Sequence, residues 1–265
     1  MRAGTVDARG MERLNGSRIG AVLGGLIADA FAVRASTSTV STLHAQHGAG
    51  IFIGLEREVT VTSAEGARVS GRVVVVPPDL PHATVSPGPA LALLYDPERA
   101  PRLAGWARAR AGAFALEGRL ATRLGEALAA HRASLSRPDV LDGLAREAAP
   151  WLENETASPP RGPDRRVARA LEVLRDPNVD REVVLAHAGV SSAHLQALFV
   201  RDVGLPIRTF RLWRRLLIAL GAFAHLDATS AAHFAGFADL AHFSRTCRRL
   251  LGYSPTALRS KLLQT

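Results

Sequence analysis

Two stretches in the C-terminal part of the chain share one pattern of apolar residues around a glycine. The first surrounds Gly189 and continues to Leu195, Leu198 and Phe199, and the second surrounds Gly236 and continues to Phe243, Cys247 and Leu250. Each pattern predicts a short helix, a glycine turn and a second helix, which is the arrangement of a helix-turn-helix. The chemistry of such a unit is non-covalent, because its second helix enters the DNA major groove and its side chains bond to base edges.

A long helix is predicted between the two units, from Pro206 to about Leu226. Ile207, Phe210, Trp213, Leu217 and Leu220 are predicted to face inward, and Arg208, Arg211, Arg214 and Arg215 to lie on the surface. At about 1.5 Å per residue this helix would be on the order of 30 Å long, close to one turn of B-DNA at about 34 Å. It could therefore hold two exposed helices in successive major grooves.

Polar residues stand where the predicted helices need N-caps. Asp164 is predicted to cap the first helix of this region and Ser191 the exposed helix of the first unit, while the second unit is predicted to begin at Thr229 or Ser230. The single cysteine, Cys247, occupies an apolar position and is predicted to be a buried core thiol. One cysteine excludes a disulfide within the chain and favours a reducing compartment.

The formal net charge of +9 is concentrated in the same region, because residues 164–265 hold 15 Lys and Arg against 8 Asp and Glu. A basic region beside a nearly neutral one favours a partner with phosphates. Since a GC-rich genome also raises arginine content, the placement of the arginines carries this inference and their number does not.

The region resembles the C-terminal domain of the AraC/XylS family of bacterial transcription regulators. The resemblance covers residues 164–262 and is carried by Ala188-Gly189-Val190-Ser191 with His194-Leu195, Gly204-Leu205-Pro206, Gly236-Phe237-Ala238-Asp239 with His242-Phe243-Ser244-Arg245, and Gly252-Tyr253-Ser254-Pro255. It implies that the second helix of each unit enters the major groove. The base-reading residues that it implies are Ala193, Gln196, Ala197, Leu240, Ala241, Ser244 and Arg245.

Two of these side chains match the edge of a particular base. Gln196 suits adenine N6 and N7, and Arg245 suits guanine O6 and N7, each pair giving about 1–3 kcal/mol of discrimination. An ion pair with Asp239 is the alternative role for Arg245. The positions that correspond to phosphate contacts, which fix the register without reading the sequence, are His194, Arg201, Arg248 and Arg249.

The N-terminal part predicts a different structure, so the fold class is α+β, a small β-barrel with a helix pair followed by an all-α domain. Residues 1–17 are predicted to be disordered. In residues 18–100, Ile51-Phe52-Ile53, Val59-Thr60-Val61-Thr62 and Val73-Val74-Val75-Val76 are separated by turn residues and predict short strands of a barrel or sandwich. This region resembles the cupin-like barrel that precedes the DNA-binding domain in many such regulators, and the resemblance implies a role in sensing an effector or in dimerisation.

Residues 101–153 predict two helices, with Leu116, Leu120, Leu124 and Leu128 spaced on one face. That face could pair with a second subunit or pack on the barrel, and dimerisation is the role that we predict for it. Three prolines then mark a linker at 154–163, after which the DNA-binding domain, 164–265, begins.

Four residues of the barrel region could bind a polar ligand or a metal: His44, His47, Glu56 and His82. His82 resembles the histidine of the second cupin motif, which in enzymatic cupins joins a His-x-His pair and a carboxylate on a metal. The spacing of His44 and His47 does not put both side chains on one face of a strand. We therefore predict a candidate effector pocket without a metal or other cofactor.

These observations predict a sequence-specific DNA-binding transcription regulator that is not an enzyme. Its predicted partners are double-stranded DNA at a promoter or operator, a second copy of the chain, RNA polymerase, and an unidentified small-molecule effector. No membrane span or secretory signal is apparent, so a cytoplasmic location is predicted. The alternatives are a metal-dependent cupin enzyme with an appended DNA-binding domain, and an architectural DNA-binding protein without sequence preference.

Overall fold

Among the residues that the structure describes, nine strands form two antiparallel sheets in the N-terminal part of the chain. The structure is a computed structural model that describes residues 30–35, 38–98, 100–134, 137–154, 162–223 and 226–262. The first sheet has the order β1-β8-β3-β6-β9, and the second has the order β2-β7-β4-β5. The strands are β1 (Ala30–Ala35), β2 (Thr39–Val40), β3 (Ala49–Gly54), β4 (Val59–Ser63), β5 (Arg68–Gly71), β6 (Val73–Val76), β7 (His82–Ser86), β8 (Ala90–Tyr95) and β9 (Phe114–Ala115).

Strand β6 explains why this part of the chain needs two layers. All four of its valines are buried, although successive side chains of a strand point to opposite faces. Val73 and Val75 pack in a core shared with helices, and Val74 and Val76 pack with Val61 of the second sheet. The three predicted strand runs therefore lie in strands, and the run of valines is a central strand covered on both faces.

Three helices cover the outer face of the first sheet: α1 (Pro101–Arg108), α2 (Gly118–Ala130) and α3 (Pro138–Asn154). Leu120, Leu124 and Leu128 of α2 are buried in the core that also holds Leu141 and Leu152 of α3. The Tyr95 hydroxyl at the end of β8 donates to the carbonyl of Ala145 at 2.9 Å. The leucine stripe thus packs within the chain, which was the alternative to pairing with a second subunit.

Seven helices follow in the C-terminal part: α4 (Arg165–Val173), α5 (Arg181–Ala188), α6 (Ser192–Val203), α7 (Ile207–Phe223), α8 (Ala228–Phe234), α9 (Leu240–Leu251) and α10 (Pro255–Leu262). We call α5 with α6 the first unit, α8 with α9 the second unit, and α7 the connecting helix. Left-handed backbone at Gly189 ends α5 and at Gly252 ends α9, as glycine permits. The caps predicted at Asp164 and Ser191 are present, but α8 begins earlier than predicted because Asp227 caps it by accepting from the N–H groups of Thr229 and Ser230.

The connecting helix is buried over most of its length. Its 17 residues span about 26 Å at 1.5 Å per residue, slightly less than predicted. Phe210, Trp213, Leu217 and Leu220 are buried as predicted, whereas Ile207 is half-buried. The prediction that Arg214 lies on the surface is wrong, because its side chain turns towards the sheets and only 4% of the residue is exposed. Cys247 is buried as predicted, and burial raises the pKa of its thiol to about 12.

Some predicted segments lie outside the described residues, namely 1–17 and most of the linker at 154–163. Among the described helices, no single one has the length and hydropathy of a membrane span. The pair α5 and α6 meets those criteria only when joined across its bend of 77°.

The glycine turns of the two units differ in one respect that stability measurements can test. Both Gly189 and Gly236 have a positive φ, so Gly→Ala at either position should lower the free energy of unfolding by about 1 kcal/mol through backbone strain. A methyl group at Gly236 would also strike the amide of Asn178, which accepts a hydrogen bond from Arg215, whereas one at Gly189 would meet nothing within 4 Å. We expect Gly236→Ala to cost about 1 kcal/mol more than Gly189→Ala in urea unfolding.

The control is the Asn178→Ala background, in which the collision is absent. There the two glycine substitutions should have equal costs. Equal costs in the wild-type background would contradict the contact between Asn178 and the second unit.

Candidate nucleic-acid interface

Helix α6 presents to solvent the three residues that were predicted to read bases in the first unit. Ala193, Gln196 and Ala197 are exposed, whereas Leu195 and Phe199 on the other side of the helix are buried. The Ser191 hydroxyl accepts from the main-chain N–H of His194 and starts the helix. The periodicity of α6 therefore fixes Gln196 on an accessible face.

Helix α9 presents the second set in the same way. Leu240, Ala241 and Arg245 are exposed, and Ser244 is half-buried, while Phe243 and Cys247 are buried. The Asp239 carboxylate accepts from the N–H of His242 at 2.6 Å and caps the helix. The Asp239 carboxylate therefore caps α9 and is not paired with Arg245. Arg245 forms no ion pair within the described part of the chain.

The two exposed helices, α6 and α9, border the same groove. A groove of about 440 Å³ lies between the two units, and Gln196 of α6 and His242 of α9 both line it. The Asn178 side chain, just before α5, contacts both the connecting helix and the second unit, because its Oδ1 accepts from Arg215 Nε at 3.1 Å and it lies against Gly236. Two helices so arranged can approach one face of a ligand together.

The residues predicted to contact phosphates fall into two groups. His194, Arg248 and Arg249 are exposed. Arg201 is also exposed, but its Nε lies 2.6 Å from Asp202 Oδ1 and its Nη2 lies 3.0 Å from Oδ2. The hydrogen bonds from Arg201 lower the pKa of the Asp202 carboxyl group. Arg201 thus forms a bidentate pair with Asp202 on an exposed surface, and its contact with a phosphate stays a prediction.

The sheets contact the connecting helix through a buried carboxylate at the end of β8. Asp96 Oδ1 accepts from Trp213 Nε1 at 2.9 Å, and Oδ2 lies 3.3 Å from Arg214 Nη1. Both side chains of the ion pair are at most 6% exposed. Burial and the charge of Glu98 raise the pKa of Asp96 to about 6, against the opposing effects of Arg214 and Trp213. We call this contact the junction.

Main-chain contacts tie the sheets to the C-terminal ends of both exposed helices. The N–H and hydroxyl of Thr42 donate to the carbonyl of Gly252, and the N–H of Ala45 donates to that of Arg249. At the other unit, Arg108 Nη2 donates to the carbonyl of Val203 at 3.3 Å. These hydrogen bonds are made to the last turns of α6 and α9. They therefore leave the exposed sides of both helices, which carry the residues predicted to read bases, uncovered.

Next to the junction, a buried histidine lies between two carboxylates. His47 Nδ1 is 3.1 Å from Asp79 Oδ1, and Nε2 is 2.6 Å from Glu98 Oε1. Burial opposes protonation of His47, but the charges and hydrogen bonds of Glu98 and Asp79 outweigh it and raise the pKa to about 10. The imidazole ring also stands edge-on to Phe210 and Trp213 of the connecting helix.

The four residues predicted to line an effector pocket do not converge. His44 and His82 lie against each other with ring centroids 4.3 Å apart and ring planes tilted by 49°, and burial, together with the charge of His44, lowers the pKa of His82 to about 4. His47 is held separately by Asp79 and Glu98, and Glu56 is exposed after β3. The predicted pocket is therefore wrong as a set, and the metal-dependent cupin alternative loses the convergence that it required. The described residues contain no group of three His, Cys, Asp or Glu that could hold a metal.

Sequence reasoning missed Asp96, Glu98 and Arg214 as members of a buried polar cluster. Asp96 and Glu98 follow strand β8 and carry no motif, and Arg214 is one of several arginines on a helix. The one available signal was Trp213, a large residue with a polar N–H that needs an acceptor when buried.

Comparison with known proteins supports the assignment of the C-terminal part. Residues 184–261 match a family model described as a helix-turn-helix domain. This helix-turn-helix match supports the prediction of a DNA-binding transcription regulator of the AraC type. The match confirms the helix-turn-helix architecture predicted for this region. Comparison with curated proteins found no significant match to this chain.

Solved structures share the overall fold. ToxT from Vibrio cholerae O395 aligns with a TM-score of 0.57 at 10% identity, covering 89% of this chain and 98% of its own. ToxT from Vibrio cholerae strain SCE256 bound to an unsaturated fatty acid aligns with a TM-score of 0.55 at 12% identity, covering 89% and 96%. CuxR, an AraC-like transcriptional activator, aligns with a TM-score of only 0.41 at 14% identity, covering 79% and 82%. The ToxT likeness confirms the mixed fold class, antiparallel sheets followed by a helical domain.

The charged state of His47 predicts a pH dependence of stability. Because its pKa in the folded chain, about 10, lies above the ordinary value of 6.5, the stabilisation is complete below pH 6.5 and is lost as pH rises through 10. The charged groups around His47 are Glu98, Asp79, Asp96, Arg108 and Arg214. Asp96, with a pKa of about 6, titrates below the range from pH 6.5 to 10. Thermal unfolding midpoints should therefore fall between pH 6.5 and 10 in the wild type and change less in His47→Gln. Parallel pH profiles for the two proteins would contradict a charged His47.

Proposed function

We propose that this regulator reads two adjacent major grooves of one duplex, with α6 in the first and α9 in the second. The observation that carries the proposal is the common groove lined by Gln196 and His242, with the predicted base-reading residues exposed beside it. The connecting helix spans about 26 Å, which approaches the 34 Å of one DNA turn. Residues 164–265 serve as the DNA-binding domain in this proposal, and residues 18–100 and 101–153 serve regulation or dimerisation.

Two arginines on α9 test which side chain reads sequence. Arg245 lies on the exposed face in the middle of the helix, and Arg249 lies one turn further along. We expect Arg245→Ala to relax the preference at one base pair by about 1–3 kcal/mol. Arg249→Ala should weaken binding to all sequences alike, because a phosphate contact carries no sequence information.

The measurement is competition between a duplex selected from a randomised pool by the wild-type chain and its single-base variants. The ratio of affinities at each position is compared for wild type, Arg245→Ala and Arg249→Ala. An equal loss on every duplex for Arg245→Ala would remove it from base reading. A wild-type preference over random DNA below about 10³ would favour the architectural alternative.

We propose further that the sheets modulate DNA binding through the junction. The buried Asp96 carboxylate holds the middle of the connecting helix, and the Thr42 and Arg108 contacts hold the ends of α9 and α6. A ligand or partner that alters the junction would therefore change the relative position of the two units. We also propose that the chain forms a dimer that reads two half-sites. RNA polymerase is a further proposed partner, and the proposed location is the cytoplasm, with the chromosome.

Solved ToxT structures suggest the chemistry of an effector. ToxT is seen bound to an unsaturated fatty acid, and we propose by likeness of fold that an apolar carboxylic acid also acts on this chain. Beside the junction, a cavity of about 210 Å³ is lined by Arg175, Arg214 and Phe210, together with three acidic residues, Asp96, Glu98 and Glu172. Oleate added to the purified protein, followed by DNA affinity and thermal unfolding, tests this idea, and no effect on either would end it.

Loss of the Asp96 carboxylate should weaken both stability and specific DNA binding. Removing one partner of a buried ion pair costs about 3–5 kcal/mol, so Asp96→Ala should lower the free energy of unfolding by about that amount. Asp180→Asn, on an exposed acid that makes no side-chain cap, is the control and should change it by less than about 0.5 kcal/mol. Unchanged specific affinity for Asp96→Ala, measured below its unfolding temperature, would contradict modulation through the junction.

A further inference from the structure

Four arginines line the groove between the two units. Arg181 begins α5, and Arg208, Arg211 and Arg215 come from the connecting helix at spacings of three and four residues, which puts them on one face. We call these four residues the arginine groove. Gln196 of α6 and His242 of α9 stand at the same groove, so the cluster lies between the two helices that carry the predicted base readers.

The positive charge of the arginine groove is not balanced by the protein around it. None of the residues lining it is acidic, and its four arginines form no ion pair within the described ranges. Arg211 Nε is buried without a hydrogen-bond partner among the described residues. Burial and the neighbouring charge of Arg211 lower the pKa of Arg215, although the more distant Asp176 opposes this.

Such an arrangement is costly unless an anion occupies the groove. A buried N–H donor without an acceptor is destabilising, and like charges in close proximity repel. A planar guanidinium matches the geometry of a phosphate in a bidentate manner, better than it matches a single acceptor. The chemistry of the site therefore calls for a ligand with one or more phosphate groups.

We propose that the arginine groove binds phosphates of the DNA backbone where the minor groove passes between the two major grooves. This inference rests on the proposed function, because it needs α6 and α9 on one duplex. Arg208 to Arg215 span about 10 Å along the helix, which corresponds to about three nucleotides of one strand at 3.4 Å each. The groove is also open and flanked by base-reading helices on both sides, as a backbone-binding site between them must be.

The test compares two variants that each remove two positive charges. Arg208→Ala/Arg211→Ala alters the arginine groove, and Arg102→Ala/Arg119→Ala removes two exposed arginines of α1 and α2 as the control. Affinity for a duplex selected by the wild-type chain, and for a shuffled duplex, is measured from 50 to 200 mM salt. Thermal unfolding of each variant checks that it is folded.

We expect the groove variant to lose about 1.8 from the slope of log affinity against log salt, since each phosphate contact contributes about 0.9. Wild-type affinity should then fall about 12-fold more than that of the groove variant over this salt range. The ratio of affinities for the selected and shuffled duplexes should stay within about 3-fold of the wild-type ratio, because phosphate contacts do not read bases. The control variant should keep the wild-type slope.

Other outcomes overturn the proposal in distinguishable ways. If the wild type binds the selected duplex but the groove variant keeps its slope, the groove does not contact DNA. Inorganic pyrophosphate that then stabilises the wild type but not the groove variant would identify a site for a free phosphate compound. If the wild type prefers no duplex at all, the proposed function itself fails. A change of base preference in the groove variant would assign these arginines to sequence reading.

As a second probe, Arg211→Lys keeps the charge and removes the planar fork. We expect it to keep the wild-type salt slope and to bind both duplexes several-fold more weakly. A slope reduced as far as that of the alanine variant would contradict a role based on charge.

Discussion

The Asp96 carboxylate joins the two halves of the chain at a point where water is excluded. It accepts one hydrogen bond from Trp213 and pairs with Arg214, and both partners belong to the helix that connects the two units. A buried ion pair contributes little net stability compared with an apolar contact, but a broken one is costly. The junction therefore favours one relative position of sheets and helices over others, which is the property that a regulator needs.

The arginines of this chain differ in function because they differ in surroundings. Arg214 is buried against Asp96, Arg201 is exposed but bound by Asp202, and Arg211 lies in a groove without an acidic neighbour. Only the last environment leaves charge available to a ligand. Composition records all three as the same residue type, so the net charge of +9 overstates what is available to DNA.

Local signals predicted the helical part well, and contacts distant in sequence limited the rest. The caps at Asp164 and Ser191 and the turn at Gly189 depend on neighbouring residues, so a sequence pattern contains them. The pair of Asp96 and Arg214 depends on the docking of residues 118 positions apart, which no pattern contains. The predicted pocket grouped His47 with Glu56 because they are near in sequence. Burial separates them, since His47 is buried and Glu56 is exposed.

The contacts that hold α6 and α9 to the sheets use carbonyl oxygens of the main chain, those of Val203, Arg249 and Gly252. Main-chain atoms are the same whatever side chain a residue carries. Evolution can therefore exchange the residues on the outward faces of both helices, and with them the preferred promoter, while the restraint from the sheets persists. Regulators with this arrangement can therefore diverge in their target genes while they retain the same contacts between the sheets and the DNA-binding helices.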